Sequence, residues 1–360
     1  MEQTMSPLFT RCAVSISIAA VLAACSATGT PLQTSSLSLP PATQAPPLSR
    51  VLQGRLRPSG YPYLGGSWIS PAAERIPALL YVSDFDRQVV NIYDYRSASG
   101  KLVGQLAQHP SSPEGLCVDG SGNVYVTSYQ KGSKPSPEIK EYAHGGLRPL
   151  ETLSLHGVQP SSCTIDSTTG TVAVALYDYA NSTGGLDLII GGLDRGHQVL
   201  LSDPNGLHGM LWDAYDPSGN LLIMGITGST PGLDELPAGR RQFVHLSGLA
   251  LNDADQGVLW DGSHIAVGDT NNSGNEIIVS EITVHGSTVR VVRRVTYTDP
   301  SCSFGAFTVE MAILRDTLVG ASFYCATTID FWSYDRGGTP KGIWAHKHIQ
   351  ALSGQVISTR

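Results

Sequence analysis

The sequence predicts an all-β protein: a six-bladed β-propeller of four-stranded antiparallel blades, its ring closed by the C-terminal strand. Three observations predict it. A short apolar strand of the type "NVYVTSY" recurs six times, starting at Leu79, Asn123, Thr171, Asn220, His264 and Thr317, at intervals of 44, 48, 49, 44 and 53 residues. That spacing matches the roughly 40–50 residues of one four-stranded blade. The composition agrees, because 39 Gly and 22 Pro with only 15% charged residues suit many short strands joined by turns. No heptad pattern or amphipathic helix stands out. Finally, the C-terminal "HKHIQALSGQVIST" aligns with "AQHPSSPEGLCVDG", placing His348 on His109 and Gly354 on Gly115, each 239 positions apart.

The N-terminus is a separate object. "TRCAVSISIAAVLAACSATG" carries one positive charge at Arg11, an apolar run from Ala13 to Ala24, and then Cys25 after small residues. The run is too short for a convincing membrane span and has the length of a signal-peptide core. Leu22-Ala23-Ala24-Cys25 resembles a bacterial lipobox, which implies cleavage before Cys25 and diacylglycerol on its sulfur. An ordinary secretory signal cut after Ala24 is the alternative. Residues 1–24 are therefore expected to be a lipoprotein signal peptide. Ser26, where some Gram-negative lipoproteins carry Asp, resembles outer-membrane sorting. Residues 25–50, "CSATGTPLQTSSLSLPPATQAPPLSR", are Ser-, Thr- and Pro-rich and read as a lipidated tether. Residues 51–360 form the expected propeller domain.

Within it, each second strand has a partner on either side. First strands and their turns read as "GLCVDGSGN" at Gly115, "CTIDSTTG" at Cys163, "DAYDPSGN" at Asp213 and "GVLWDGS" at Gly257. Asp-Gly and Ser-Gly-Asn between apolar runs are hairpin signals, since Gly or Asn supplies the positive φ of a tight return. Third strands follow at Val89, Glu138, Leu186, Glu276 and Thr328. In blade four "TGSTPGLDELPAG" reads as a loop-like stretch before "RQFVHLSGLAL". The tail, a first strand without a second, is expected to run Gly354 to Ser358 beside Leu79 to Asp84 and to remove exposed edges. "GSWIS", Gly66 to Ser70, is the rival for that place.

"PEGLCVDGSGNVYVTSY" followed by "IKEYAHGG" resembles the NHL family of six-bladed propellers, whose repeat carries Pro-x-Gly, an apolar strand, Asp, a Gly-Asn turn and a Tyr-Val strand. The resemblance runs from about Leu79 to Ser358, best in blades one to three. It implies a fold and leaves function open.

Besides Cys25, four cysteines remain after cleavage. An even number in an oxidising compartment points to two disulfides, with three connectivities. Cys117 and Cys163 fall on inner strands of consecutive blades, while Cys302 and Cys325 flank the first two strands of blade six. The expected pairs are Cys117–Cys163 and Cys302–Cys325, with free buried thiols the alternative.

For chemistry, residues at the channel mouth are best placed to meet a ligand. Glu114, His208, Asp213 and Glu310 lie on or near inner strands, and Tyr129, Tyr177, Asp178 and Asn271 lie in or beside facing loops. A polar rim that only solvates the channel is the plainer reading. His109, His156 and His348 recur in register but end the outer strands of different blades, too far apart to share an ion. "DTNNSGNE", Asp269 to Glu276, imitates a calcium loop but has Ser280 where the bidentate carboxylate belongs. No metal site, no catalytic residue and no cofactor are expected apart from lipid on Cys25. Neither a Gly-x-Ser-x-Gly elbow nor a His-Glu-x-x-His pair occurs.

The net charge of -7 comes without a basic tract, "RVVRRV" fitting a strand face, which argues against nucleic acid as a partner. The expected protein is a monomeric binding or scaffold module of the bacterial cell envelope. It is extracytoplasmic and held at the membrane by its lipid, at the outer membrane if Gram-negative, with an envelope protein, peptide or glycan as ligand. Similar folds include lactonases and streptogramin lyase, so a metal-dependent hydrolase or lyase is the alternative.

Overall fold

Asp, Gly and Asn build the tight returns that the repeat predicts. In the turn after Val118, Asp119 Oδ1 accepts the backbone N–H of Ser121 (2.9 Å) and of Asn123 (2.8 Å), and Gly122 adopts a φ of +84°. Asp216 and Asn220 repeat the arrangement in blade four. The carboxylate satisfies donors that a tight turn leaves without strand partners, and glycine takes the left-handed conformation at no steric cost.

The computed structural model describes residues 65–97, 100–130, 136–157, 159–178, 183–203, 206–254, 256–271, 276–299, 308–322, 328–345 and 352–360. These form six antiparallel blades around one axis, five of four strands and one of five. The inner strands are Leu352–Thr359, Ser112–Val118, Pro160–Ile165, Gly209–Tyr215, Val258–Trp260 and Thr308–Leu314. Residues 1–24, expected to be a signal peptide, residues 25–50 with Cys25, expected to be a tether, and Cys302, Cys325 and His348 lie outside the described residues. No helix among the described residues is long and apolar enough to cross a membrane.

The C-terminal strand closes the ring. Leu352–Thr359 pairs with Ala78–Asp84, setting Ser358 opposite Leu79, Val356 opposite Tyr81 and Gly354 opposite Ser83. The rival segment goes to the other edge of the same blade, where Trp68–Ile69 pairs with Gln105 and Gly104 as a fifth, outermost strand. All seven residues of Ala78–Asp84 are buried. Apolar side chains of blades one and six interlock across the closure, Leu80, Val82 and Leu352 packing with Phe331 and Trp344.

Blade four departs from the sequence reading. The stretch expected to be a loop holds a third strand, Thr230–Leu236, paired along its length with Leu221–Thr227. Pro231 and Gly232 look like breakers, yet they occupy the strand's start, while Leu233 and Leu236 are buried and Asp234 takes up a bond from the outer strand's His245 (2.8 Å).

His144 clasps the closure. It is 2% exposed, its Nε2 donates to the Ile76 carbonyl (2.7 Å), and Nδ1 lies 2.6 Å from the Ser358 hydroxyl. That hydroxyl also donates to the Gly122 carbonyl (2.6 Å). Burial holds the imidazole below its ordinary pKa of 6.5. A depressed histidine contributes stability that is fully present above its unfolded pKa and is lost as pH falls through the folded value. His144→Ala is therefore expected to lower stability by about 1–3 kcal/mol at pH 8 and by less at pH 5, measured by urea unfolding at the two pH values.

Candidate functional site: the axial cavity

Five of the six inner strands carry a β-bulge, which leaves Glu114 with Gly115, Ser161, Leu211, Val309 with Glu310, and Ser353 outside the paired ladder. Bulges re-aim side chains and bend the strand. At this level the inner strands approach backbone to backbone. A side chain at Gly115 would overlap Ser162, and one at Gly354 would come within 2.5 Å of the Glu114 carbonyl. Ser83 Oγ donates to that carbonyl (2.6 Å), and Ser353 Oγ donates to the Pro113 carbonyl (2.7 Å).

Beyond the constriction lies an axial cavity of about 300 Å³, lined by all six inner strands and reaching the exposed Ser167 and Pro217 in the turns that leave them. It opens at the end opposite the loops between second and third strands. Asp213 and Glu310 line it.

Asp213 is the unusual group. Its Oδ1 accepts a short hydrogen bond from Ser162 Oγ, while its Oδ2 is buried without a hydrogen-bond partner. Burial pushes this carboxyl from 3.8 up to about 7, against the opposing effect of the Ser162 bond. Glu310 is more constrained, since its Oε2 accepts the backbone N–H of Gln355 (2.9 Å) and its own carbonyl accepts Gln355 Nε2 (2.6 Å).

The other residues named for the mouth lie toward the opposite end of the axis, where the loops between second and third strands converge. Glu114 is fully buried at the constriction and accepts a hydrogen bond from Gln159 Nε2 (2.6 Å). Tyr129 and Asp178 lie at the far end of the axis, at the ends of the second strands of blades two and three, and the Tyr129 pKa is raised by burial first and then by the charges of Glu114 and Asp178. The Tyr177 ring lies against Gly209, where no side chain would fit. His208 is exposed, and Asn271 donates to Glu276 (2.9 Å). The structure thus divides the eight residues between two ends of the axis and brings only Asp213 and Glu310 into the cavity.

The remaining sequence candidates are engaged in structure. His109 meets Gln88 Oε1 (2.5 Å) and His156 meets Asp187 (3.2 Å), a carboxylate that also accepts the backbone N–H of His156 (2.8 Å). Asp269, in the calcium-like stretch, accepts the backbone N–H groups of Asn252 (3.0 Å), Asp253 (3.0 Å) and Thr270 (2.8 Å), so it caps an interblade loop. Residues 272–275 of that stretch lie outside the described residues.

No family model and no curated protein matches the chain. A solved structure, a protein of unknown function from Bacteroides caccae, is 12% identical and superposes with a TM-score of 0.55, covering 78% of this chain and 99% of its own. The likeness is one of fold alone.

A disulfide joins the cavity's own walls. Cys117 and Cys163 are bonded with Cα atoms 5.5 Å apart, linking the inner strands of blades two and three across 46 residues of sequence. Closing a loop of that length removes about 4 kcal/mol of unfolded-chain entropy. The sequence signal for this pair was its register against Asp119 and Asp166. Ser162 and Gln355, which hold the two cavity carboxylates, carried no such signal because small and amide residues are common throughout the chain.

Proposed function

We propose that the chain is a binding module of the bacterial cell envelope, lipid-anchored through Cys25, whose axial cavity takes a positively charged or hydrogen-bond-donating group. A lysine, arginine or amine tip presented by an envelope peptide or protein has the right chemistry. The observation that carries this reading is Asp213: an acidic side chain among the cavity-lining residues, held by Ser162 Oγ, whose carboxyl burial pushes up to about 7. A titratable group strongly shifted by burial in a concave site marks a functional candidate. A cavity of about 300 Å³ sits at the small end of ligand sites and fits a side-chain tip better than a whole polymer.

Because Asp213 must ionise to hold a cation, affinity is expected to rise with pH through about 7. The test is capture of partners from an envelope extract by the full chain, at pH 6 and pH 8, alongside Asp213→Asn and Cys25→Ser. Retention stronger at pH 8 and lost in Asp213→Asn supports the cavity. Equal retention by Asp213→Asn overturns it, and Cys25→Ser remaining in the membrane fraction overturns the anchor.

The same carboxyl favours a second reading, a metal-dependent hydrolase or lyase of lactonase-like or streptogramin-lyase-like type, since a group titrating near neutrality suits proton transfer. Turnover of a lactone panel, abolished in Asp213→Asn, would select that reading.

A further inference from the structure

Away from the axis, at the rim between blades five and six, Asp261, His264 and Glu281 bring three donor atoms within 4.8 Å of one another. They line a cleft of about 290 Å³ together with Arg293, Tyr334 and Asp335. Asp261 and His264 end the turn "DGSH" between the first two strands of blade five, and Glu281 stands on the third strand opposite Ala266.

Blades two and four show what this place holds by default. In blade two the equivalent residues are Asp119, Asn123 and Glu141, the last opposite Tyr125. There the Asn123 amide bridges the two carboxylates, donating to Asp119 Oδ2 (3.1 Å) and to Glu141 Oε1 (2.9 Å). In blade four Asn220 donates to Asp216 Oδ2 (2.9 Å). Blade five replaces that amide with an imidazole, and His264 Nδ1 stands 3.9 Å from Glu281 Oε2, beyond hydrogen-bond reach. The amide bridge is not reproduced by the side chain at this position, and a nitrogen ligand stands in its place.

Each donor is also held by an outer partner. Asp261 Oδ2 accepts the Tyr334 hydroxyl (2.8 Å), a contact from the next blade, and Oδ1 accepts the backbone N–H groups of Ser263 and His264 (2.7 Å each). Glu281 Oε1 accepts a short bond from Arg293, which leaves Oε2 on the His264 side. Arg293 is in turn held by Asp335 (3.0 Å) and lies over the Tyr334 ring at 5.2 Å. Outer hydrogen bonds of this kind orient metal ligands and are half the construction of a metal site.

We propose that Asp261, His264 and Glu281 form a zinc-class metal site at the seam of blades five and six. One imidazole and two carboxylates suit a borderline divalent ion that takes three protein ligands and keeps a fourth position open. Calcium, which takes six to eight oxygens, does not fit a histidine-bearing triad. Through Tyr334 the ion would tie one blade to the next. The site is independent of the axial cavity, so neither reading stands or falls with the other.

The test is zinc titration of the full chain by calorimetry, with cobalt(II) absorption as a second readout. His264→Asn is the decisive variant, because asparagine already fills this place in two blades and the variant is expected to fold. Wild type is expected to bind one equivalent, raise its Tm with zinc and give cobalt bands of four-coordinate intensity. His264→Asn should bind more than about tenfold more weakly with its metal-free Tm kept, and Glu281→Gln should weaken binding likewise. Equal affinity in wild type and His264→Asn, or no stoichiometric binding by wild type, overturns the proposal.

Discussion

Removing residues 352–360 is expected to abolish cooperative unfolding of the whole ring. The closing strand supplies the inner edge of blade one, and it also touches blades two and six. Ser353 Oγ donates to the Pro113 carbonyl (2.7 Å), Ser358 lies 2.6 Å from the Gly122 carbonyl, and Gln355 Nε2 donates to the Val319 carbonyl (2.8 Å). Leu352 is fully buried and Ile357 is 8% exposed. Losing these two with the half-buried Val356 forfeits about 4–7 kcal/mol of apolar burial, against a total stability of about 5–15 kcal/mol for a typical domain. The loss also strips Ala78–Asp84 of its ladder partner, leaving an unpaired buried edge. Thermal melts followed by circular dichroism should lose their sigmoidal transition, and a synthetic peptide of residues 352–360 added in excess should restore it. A truncated chain that melts as wild type would show that the ring does not depend on its closure.

That dependence was legible in the sequence because the offset of 239 positions maps Gly354 onto Gly115, and both glycines serve the same purpose. Each sits on an inner strand where a neighbouring backbone comes too close for a side chain. The pairing of Cys117 with Cys163 was legible for a related reason, since both keep register with a turn aspartate. Blade four was misread because Pro231 and Gly232 carry turn propensity, and tertiary pairing with Ile226 and Gly225 overrides it. Trp68–Ile69 could only be offered as a rival for the closing place, because a two-residue strand has no period to read. Of the site, the sequence supplied Asp213 and Glu310 as inner-strand acids but not the end of the axis on which they open. Their place along the strand decides that, and the bulges shift register by one residue with no mark in composition. His264 escaped notice because its meaning lies in replacing Asn123 and Asn220, a comparison that requires the strands to be superposed in space.

Asp213 gives the largest effect expected of a single substitution, and its sign follows from the direction of its pKa. The native carboxyl titrates at about 7 against 3.8 unfolded. Across that window the folded chain keeps a proton that the unfolded chain releases. Its contribution to stability is therefore fully present below about pH 4 and is lost as pH rises through about 7. The loss amounts to about 4 kcal/mol, at about 1.4 kcal/mol for each pH unit. Asp330, pushed up to about 7 by burial and then by nearby Asp299, acts in the same direction, so wild type is expected to be most stable in mild acid. Asp213→Asn keeps the acceptor for Ser162 Oγ but cannot ionise. Denaturant unfolding between pH 4 and pH 7 should show its slope reduced by about 1.4 kcal/mol per pH unit relative to wild type, with the residual slope shared by the other shifted groups, Asp330, Asp234, Asp253 and His144 among them. At pH 8 the variant should be the more stable protein, the relieved charge outweighing about 1–3 kcal/mol for new amide donors without partners. A variant of higher stability that has also lost its ligand would separate the two roles of this carboxylate, because binding could not then have failed through unfolding. Parallel pH profiles in wild type and variant would mean that Asp213 is already ionised in the folded ring, held by a cation or solvent within the cavity.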